Sequence, residues 1–108
     1  MTVESFAKST GFETLCIPSP EKEIEGAYTG DLLSWVMGKA QSGNVWITIM
    51  SNLNVVAVAT LADISVILLC EGVLLDGDVL ALAESRGVNV LSTSLSAYEA
   101  SKLISGII

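Results

Sequence analysis

From Ile64 to Cys70 the chain reads Ile-Ser-Val-Ile-Leu-Leu-Cys, with one hydroxyl and no charge. A run this apolar, β-branched where it starts and far too short to span a bilayer, is the pattern of a strand covered on both faces. Parallel strands covered in this way cannot be joined by hairpins; each connection is a crossover, usually a helix. The segment therefore predicts a chain that alternates strands with helices and places its sheet between two helical layers.

The alternation can be followed in both directions. Thr2 to Thr10 predicts a short helix and Glu13 to Ile17 a strand, before Pro18-Ser19-Pro20-Glu21-Lys22-Glu23, whose prolines and charges mark an exposed connection. Ile24 to Ala27 is a short strand, and a turn from Gly26 to Asp31 feeds a helix carrying Leu32, Leu33, Val36 and Met37 that ends near Gly38 to Ala40. Asn44 to Met50 is a strand in which Val45, Ile47 and Ile49 alternate against Trp46 and Thr48. Leu53 to Ala62 is ambiguous: Val55, Val56 and Val58 favour a strand, whereas its length and its place between two strands favour a crossover helix, the reading adopted. Asp76 opens a helix carrying Val79, Leu80 and Ala83 that Arg86 and Gly87 close. Val88 to Leu91 is a further strand, and Ser96-Ala97-Tyr98-Glu99 is a capping-box pattern opening a last helix with Leu103, Ile104 and Ile107. The expected fold is α/β, three layers α/β/α around a mainly parallel sheet of about five strands. At 108 residues there is room for one core, so a single domain is expected, with 1–20 as an N-terminal extension and first strand and 24–108 as the main body.

Composition narrows the partners. Twelve acidic against five basic residues give a net charge of -7, and Lys8, Lys22, Lys39, Arg86 and Lys102 are scattered, so no basic face exists for nucleic acid. The charge-free stretch from Ala40 to Ala62 is interrupted by Gln41, Ser42, Gly43, Asn44, Ser51, Asn52 and Asn54, and no membrane partner is expected. Without a basic segment before the first apolar stretch, no secretory signal is visible, and a cytoplasmic location is expected. A hydrophobic content of 51 % with so few charges predicts apolar surface covered by a second copy, a homodimer. There is no histidine, and Cys16 and Cys70 have no C-x-x-C spacing, so neither a metal site nor a cofactor is expected; the cysteines read as small buried hydrophobes in a reducing compartment.

In a parallel α/β sheet, ligands bind outside the carboxyl ends of the strands, where loops enter helices. The loops expected there are Tyr28-Thr29-Gly30-Asp31, Ser51-Asn52 with Asn54, Glu71-Gly72, and Ser92-Thr93-Ser94. Their hydroxyls and amides suit a small polar ligand, and Tyr28, Thr29, Gly30, Asp31, Ser51, Asn52, Asn54, Gly72, Ser92 and Thr93 are the candidate binding residues. The same residue types also cap helices and shape turns, and Asp31 repels a phosphate but suits a ribose hydroxyl, an ammonium group or a helix dipole, the dipole being the commoner use. Trp35 and Trp46 can stack on a base or serve as core or dimer contacts. Catalysis has little to draw on: no imidazole is available, and Asp31, Asp63 and Glu71 belong to different loops.

The order of the segments Gly26-Ala27-Tyr28-Thr29-Gly30-Asp31-Leu32-Leu33, Asn44-Val45-Trp46-Ile47-Thr48-Ile49, Asn54-Val55-Val56-Ala57-Val58-Ala59, Val66-Ile67-Leu68-Leu69 before Gly72, and Val90 to Glu99 resembles the DRTGG-domain family. The likeness implies a fold similar to the N-terminal domain of HPr kinase/phosphorylase, in a stand-alone single-domain member. It also implies a regulatory, ligand-sensing role, since such domains are commonly fused to nucleotide-sensing CBS domains. Stand-alone versions are typical of anaerobic bacteria and lie near iron-only hydrogenase genes. The Asp-Arg-Thr-Gly-Gly motif itself is absent; the loop matched to it, Met50-Ser51-Asn52-Leu53-Asn54, carries neither Asp nor Arg. No G-x-x-x-x-G-K-[ST] occurs, and Gly38-Lys39 lacks the preceding glycine, so kinase activity is not implied.

The function expected is thus a non-catalytic regulatory module that senses a small polar ligand, nucleotide-like in kind, as a homodimer. The alternative is a protein-interaction or accessory subunit of a redox or hydrogenase-type system with no small ligand.

Overall fold

In the computed structural model, which describes residues 1–108, all four residues of the strand Val66–Leu69 are buried. In chain order the elements are α1 (Val3–Thr10), β1 (Glu13–Cys16), β2 (Gly26–Thr29), α2 (Leu33–Lys39), β3 (Asn44–Thr48), α3 (Asn54–Leu61), β4 (Val66–Leu69), α4 (Gly77–Ser85), β5 (Val90–Ser92) and α5 (Ala97–Ser105). The five strands form one sheet in the order β1-β5-β4-β3-β2. Strands β2 to β5 are parallel, and β1 runs antiparallel against β5.

Because side chains alternate across a strand, the sheet builds two cores. Trp46, Ile67, Leu69 and Val90 face the layer of α2, α3 and α4, where they meet Val36, Val55, Val56, Val79 and Ala83. Val45, Ile47, Val66, Leu68 and Leu91 face the layer of α1 and α5, against Val3, Phe6, Ala100 and Ile104. The three crossover helices share one face because the strand order β5-β4-β3-β2 steps across the sheet in one direction. The first and last helices are left to cover the other face.

The segment from Asn54 to Leu61 is helical despite its three valines. Each valine costs roughly 0.5 kcal/mol relative to alanine in a helix. Burial of Val55, Val56 and Val58 returns about 1.5 to 3 kcal/mol apiece, and the parallel register of β3 with β4, Ile47 opposite Leu68, demands a crossover. Tertiary packing therefore overrides local propensity.

Two helices end in the same left-handed turn by different residues. After α4, Gly87 has φ +72° and the Val88 amide donates to the Ala83 carbonyl at 2.9 Å. After α3, Asp63 takes that place at φ +55°, and the Ile64 amide donates to the Ala59 carbonyl at 2.9 Å. The aspartate is retained there by its side chain, which accepts from Ser42 and pairs with Lys22 at 3.5 Å; these contacts hold its carboxyl below the usual carboxylate range.

Helix starts separate in the same way. The Ser96 hydroxyl accepts from the Glu99 amide at 3.1 Å and the Glu99 carboxylate from the Ser96 amide at 3.0 Å, a complete capping box. Asp76 occupies the N-cap of α4 but makes no side-chain capping bond. Ser96→Ala is therefore expected to lower stability by about 1 kcal/mol, whereas Asp76→Ala loses no more than about 0.5 kcal/mol of dipole interaction; urea unfolding midpoints at constant m-value compare the two.

Candidate functional site

The strand ends that face the loop side of the sheet do not share one crevice. They divide into two regions, and the division is set by Asp31. Its carboxylate accepts from the Thr48 hydroxyl at 2.7 Å and the Ile49 amide at 3.0 Å. It stands one residue before Leu32, the N-cap of α2, and serves the end of β3 instead of the helix dipole. The Gly30 amide donates to the Ile47 carbonyl at 3.1 Å, and the Gly30 carbonyl accepts from the Trp46 indole at 2.8 Å. The turn after β2 is thereby stitched to β3, with Trp46 fully buried beneath it. The Asn52 side chain accepts from the Asn54 amide at 2.9 Å and opens α3.

Tyr28, Thr29, Gly30, Asp31, Ser51, Asn52 and Asn54 thus fall on the β2–β3 side; Tyr28 and Thr29, expected in the loop, belong to β2 itself because they pair with Trp46 and Ile47, and Gly30, Asp31 and Asn52 bond within the chain. Thr29 lines a cavity of about 380 Å³ between the outer edge of β2 and α5, where its hydroxyl meets that of Ser101 at 3.1 Å.

Gly72, Ser92 and Thr93 fall on the other side and line the largest cleft, about 510 Å³. One wall comes from the connections that follow β4 and β5. There Glu71 and Gly72 have φ of +59° and +72°, and their amides donate to the Leu95 and Thr93 carbonyls, each at 2.9 Å. Buried Ser92 donates to the Val73 carbonyl at 3.1 Å, and the Thr93 hydroxyl accepts from the Leu95 amide at 3.3 Å. The opposite wall is the α1–β1 turn, Thr10 to Glu13, placed there because β1 pairs with β5, Glu13 opposite Ser92. Leu74, Leu95 and Leu103 complete the apolar part.

Phe12 and Glu13 escaped the sequence reading. Their position follows from pairing residues some eighty places apart, and the local signal was confined to Gly11, which closes α1 at φ +70°. The cleft thus offers hydroxyls and a carboxylate beside an apolar surface, an arrangement suited to binding a small polar molecule.

The cysteines stand outside both regions. Burial first, and then the Glu84 carboxylate, pushes the Cys16 thiol up to about 11; burial, with Glu71 and Asp31 nearby, does the same to Cys70. Neither is a thiolate near neutrality, and neither is an activated nucleophile.

The sequence model of the DRTGG domain family matches residues 31–107. No curated protein matches the chain. Among solved structures, the CBS and DRTGG domains of the regulatory region of Clostridium perfringens pyrophosphatase, complexed with the activator diadenosine tetraphosphate, are similar with a TM-score of 0.73 and 16 % identity. That match covers 95 % of this chain and 45 % of the other, so the chain spans less than half the length of its structural neighbour. At that identity the likeness is one of fold.

Two expected outcomes test the local chemistry. Asp31→Ala leaves the Thr48 hydroxyl and Ile49 amide without their acceptor and lowers stability by about 1 to 2 kcal/mol, with Asp31→Asn losing less, as read by urea unfolding. The folded thiols keep their protons up to about pH 11 while the unfolded ones ionise near their ordinary 9.0. Their contribution to stability is accordingly complete below pH 9 and declines from there to about pH 11. A thiol reagent at pH 8 should count almost none in the native protein and two after denaturation.

Proposed function

The chain belongs to the DRTGG domain family, and on that premise we propose that it is a non-catalytic regulatory module that senses a small polar ligand, nucleoside- or nucleotide-like, as a homodimer. The observation that carries this reading is the cleft of about 510 Å³ at the carboxyl ends of β4 and β5, a size and position usual for small-molecule sites. The neighbouring regulatory region is one complexed with a nucleotide activator, which supports a ligand of this class. A non-catalytic role accords with the lack of histidine, the dispersal of Asp31, Asp63 and Glu71, and the protonated thiols.

A second reading, a protein-interaction subunit without a small ligand, draws on a different observation. Leu32 and Trp35, one turn apart at the start of α2, are 56 % and 57 % exposed, and Lys39 lies over the Trp35 ring at 4.2 Å. The same surface suits the second copy of the homodimer.

Thermal-shift screening with nucleosides, nucleotides and small metabolites distinguishes the readings. A true ligand at a hundred times its Kd adds about 2.7 kcal/mol of stability, and Ser94→Trp, at an exposed position on the cleft, should abolish that gain without lowering the melting temperature of the free protein. Stabilisation by no compound counts against sensing. A Trp35→Glu variant that stays dimeric in sedimentation equilibrium counts against α2 as the dimer surface.

A further inference from the structure

Resting on the reading of the cleft as a ligand site, we infer that it takes an unphosphorylated ligand: a molecule with an apolar part and hydroxyl or amino groups but no anionic group, a nucleoside rather than a nucleotide. The only ionisable residue on its walls is Glu13, which shares the cleft with Phe12, Thr93 and Ser94.

No lysine or arginine lines the cleft. Lys8 pairs with Glu4 at 3.3 Å, Lys22 with Asp63, and Lys39 lies over Trp35. Arg86 caps the far end of α4, where the chain turns back into β5, and Lys102 stands in the last turn of α5.

The backbone devices that usually substitute for cations are also occupied. Glu71 and Gly72, two successive residues at positive φ on the cleft's loop, donate their amides to the Leu95 and Thr93 carbonyls and so offer no free N–H to an anion. The start of α5 is closed by its own capping box, which brings the Glu99 carboxylate to the helix N-terminus. The start of α4 carries Asp76 and Asp78. At α4 and α5, the helices that follow the loops of the cleft, the N-terminal dipole already faces a carboxylate. A hydroxyl or amine, by contrast, can donate to Glu13 while an apolar ring lies against Phe12, Leu74 and Leu103.

Isothermal titration with matched pairs, adenosine and its 5′-monophosphate, guanosine and its 5′-monophosphate, together with inorganic phosphate alone, tests this on the wild type, Glu13→Lys and Ser94→Trp. A nucleoside is expected to bind at least about tenfold more tightly than its monophosphate, because the phosphate approaches a like charge without a countercharge. Phosphate alone is expected not to bind. Glu13→Lys should close or reverse the difference within the pair, and Ser94→Trp should abolish nucleoside binding. A monophosphate that binds the wild type as tightly as its parent, and is lost in Ser94→Trp, overturns the inference while leaving ligand sensing intact. Nucleoside binding that survives Ser94→Trp places the site elsewhere and overturns it as well. If neither member of either pair binds, the inference falls for nucleosides; if the wider thermal-shift screen is also empty, the sensing reading falls with it.

Discussion

Burial of β4 on both faces is the constraint on which the remaining structure depends. Val66 and Leu68 on one side and Ile67 and Leu69 on the other are wholly excluded from solvent, and no single helical layer can cover both sets. Two layers are required, and the strands beside β4 must be parallel to it for the crossovers to fall where they are needed. Once α2, α3 and α4 fill one face in succession, only the chain ends are left for the other, and α1 and α5 meet there over Val45, Ile47 and Leu91. The N-terminal piece is for this reason part of the sheet and the core, with β1 hydrogen-bonded to β5 and Val3 and Phe6 fully buried.

The geometry of the candidate site is a by-product of the same arrangement. Asp31 and Trp46 tie the turn after β2 to β3, so that end of the sheet is closed by the protein's own groups. At the other end β1 runs antiparallel, and its beginning lies beside the ends of β4 and β5. A gap between a turn that enters the sheet and loops that leave it is the origin of the cleft. Its polarity follows from residues that are first of all structural: Ser92 and Thr93 shape the β5–α5 loop, and Glu13 begins β1.

Membership of the DRTGG family and likeness to a pyrophosphatase regulatory region agree with this architecture. The family match begins at Asp31, so the turn from Thr10 to Glu13 lies outside it, while the structural likeness extends over nearly all of the chain. One wall of the cleft is therefore built from the family's matched region and the other from the residues that precede it.

Much of the fold is legible in the amino-acid sequence because it rests on short-range rules. The apolar run at Ile64 to Cys70 requires a doubly covered strand, the Ser96–Glu99 pattern writes its own helix start, and Gly87 marks a helix end because only a residue tolerant of positive φ closes that turn. The helix over Asn54–Leu61 could be inferred only by setting topology above the β-preference of its valines. What tertiary structure alone decided is which loops meet. Local pattern assigns Asp31 to the helix it precedes, yet two donors at the end of β3 hold its carboxylate more strongly than a solvent-screened dipole does. The four loops look equivalent along the chain, but the antiparallel pairing of β1 with β5 brings Phe12 and Glu13 to Gly72, Ser92 and Thr93 and leaves Tyr28 to Asp31 and Ser51 to Asn54 apart. Pairing between residues so far apart in the chain is set by which faces remain uncovered after the crossovers are placed, a property of the packed whole that no local segment carries.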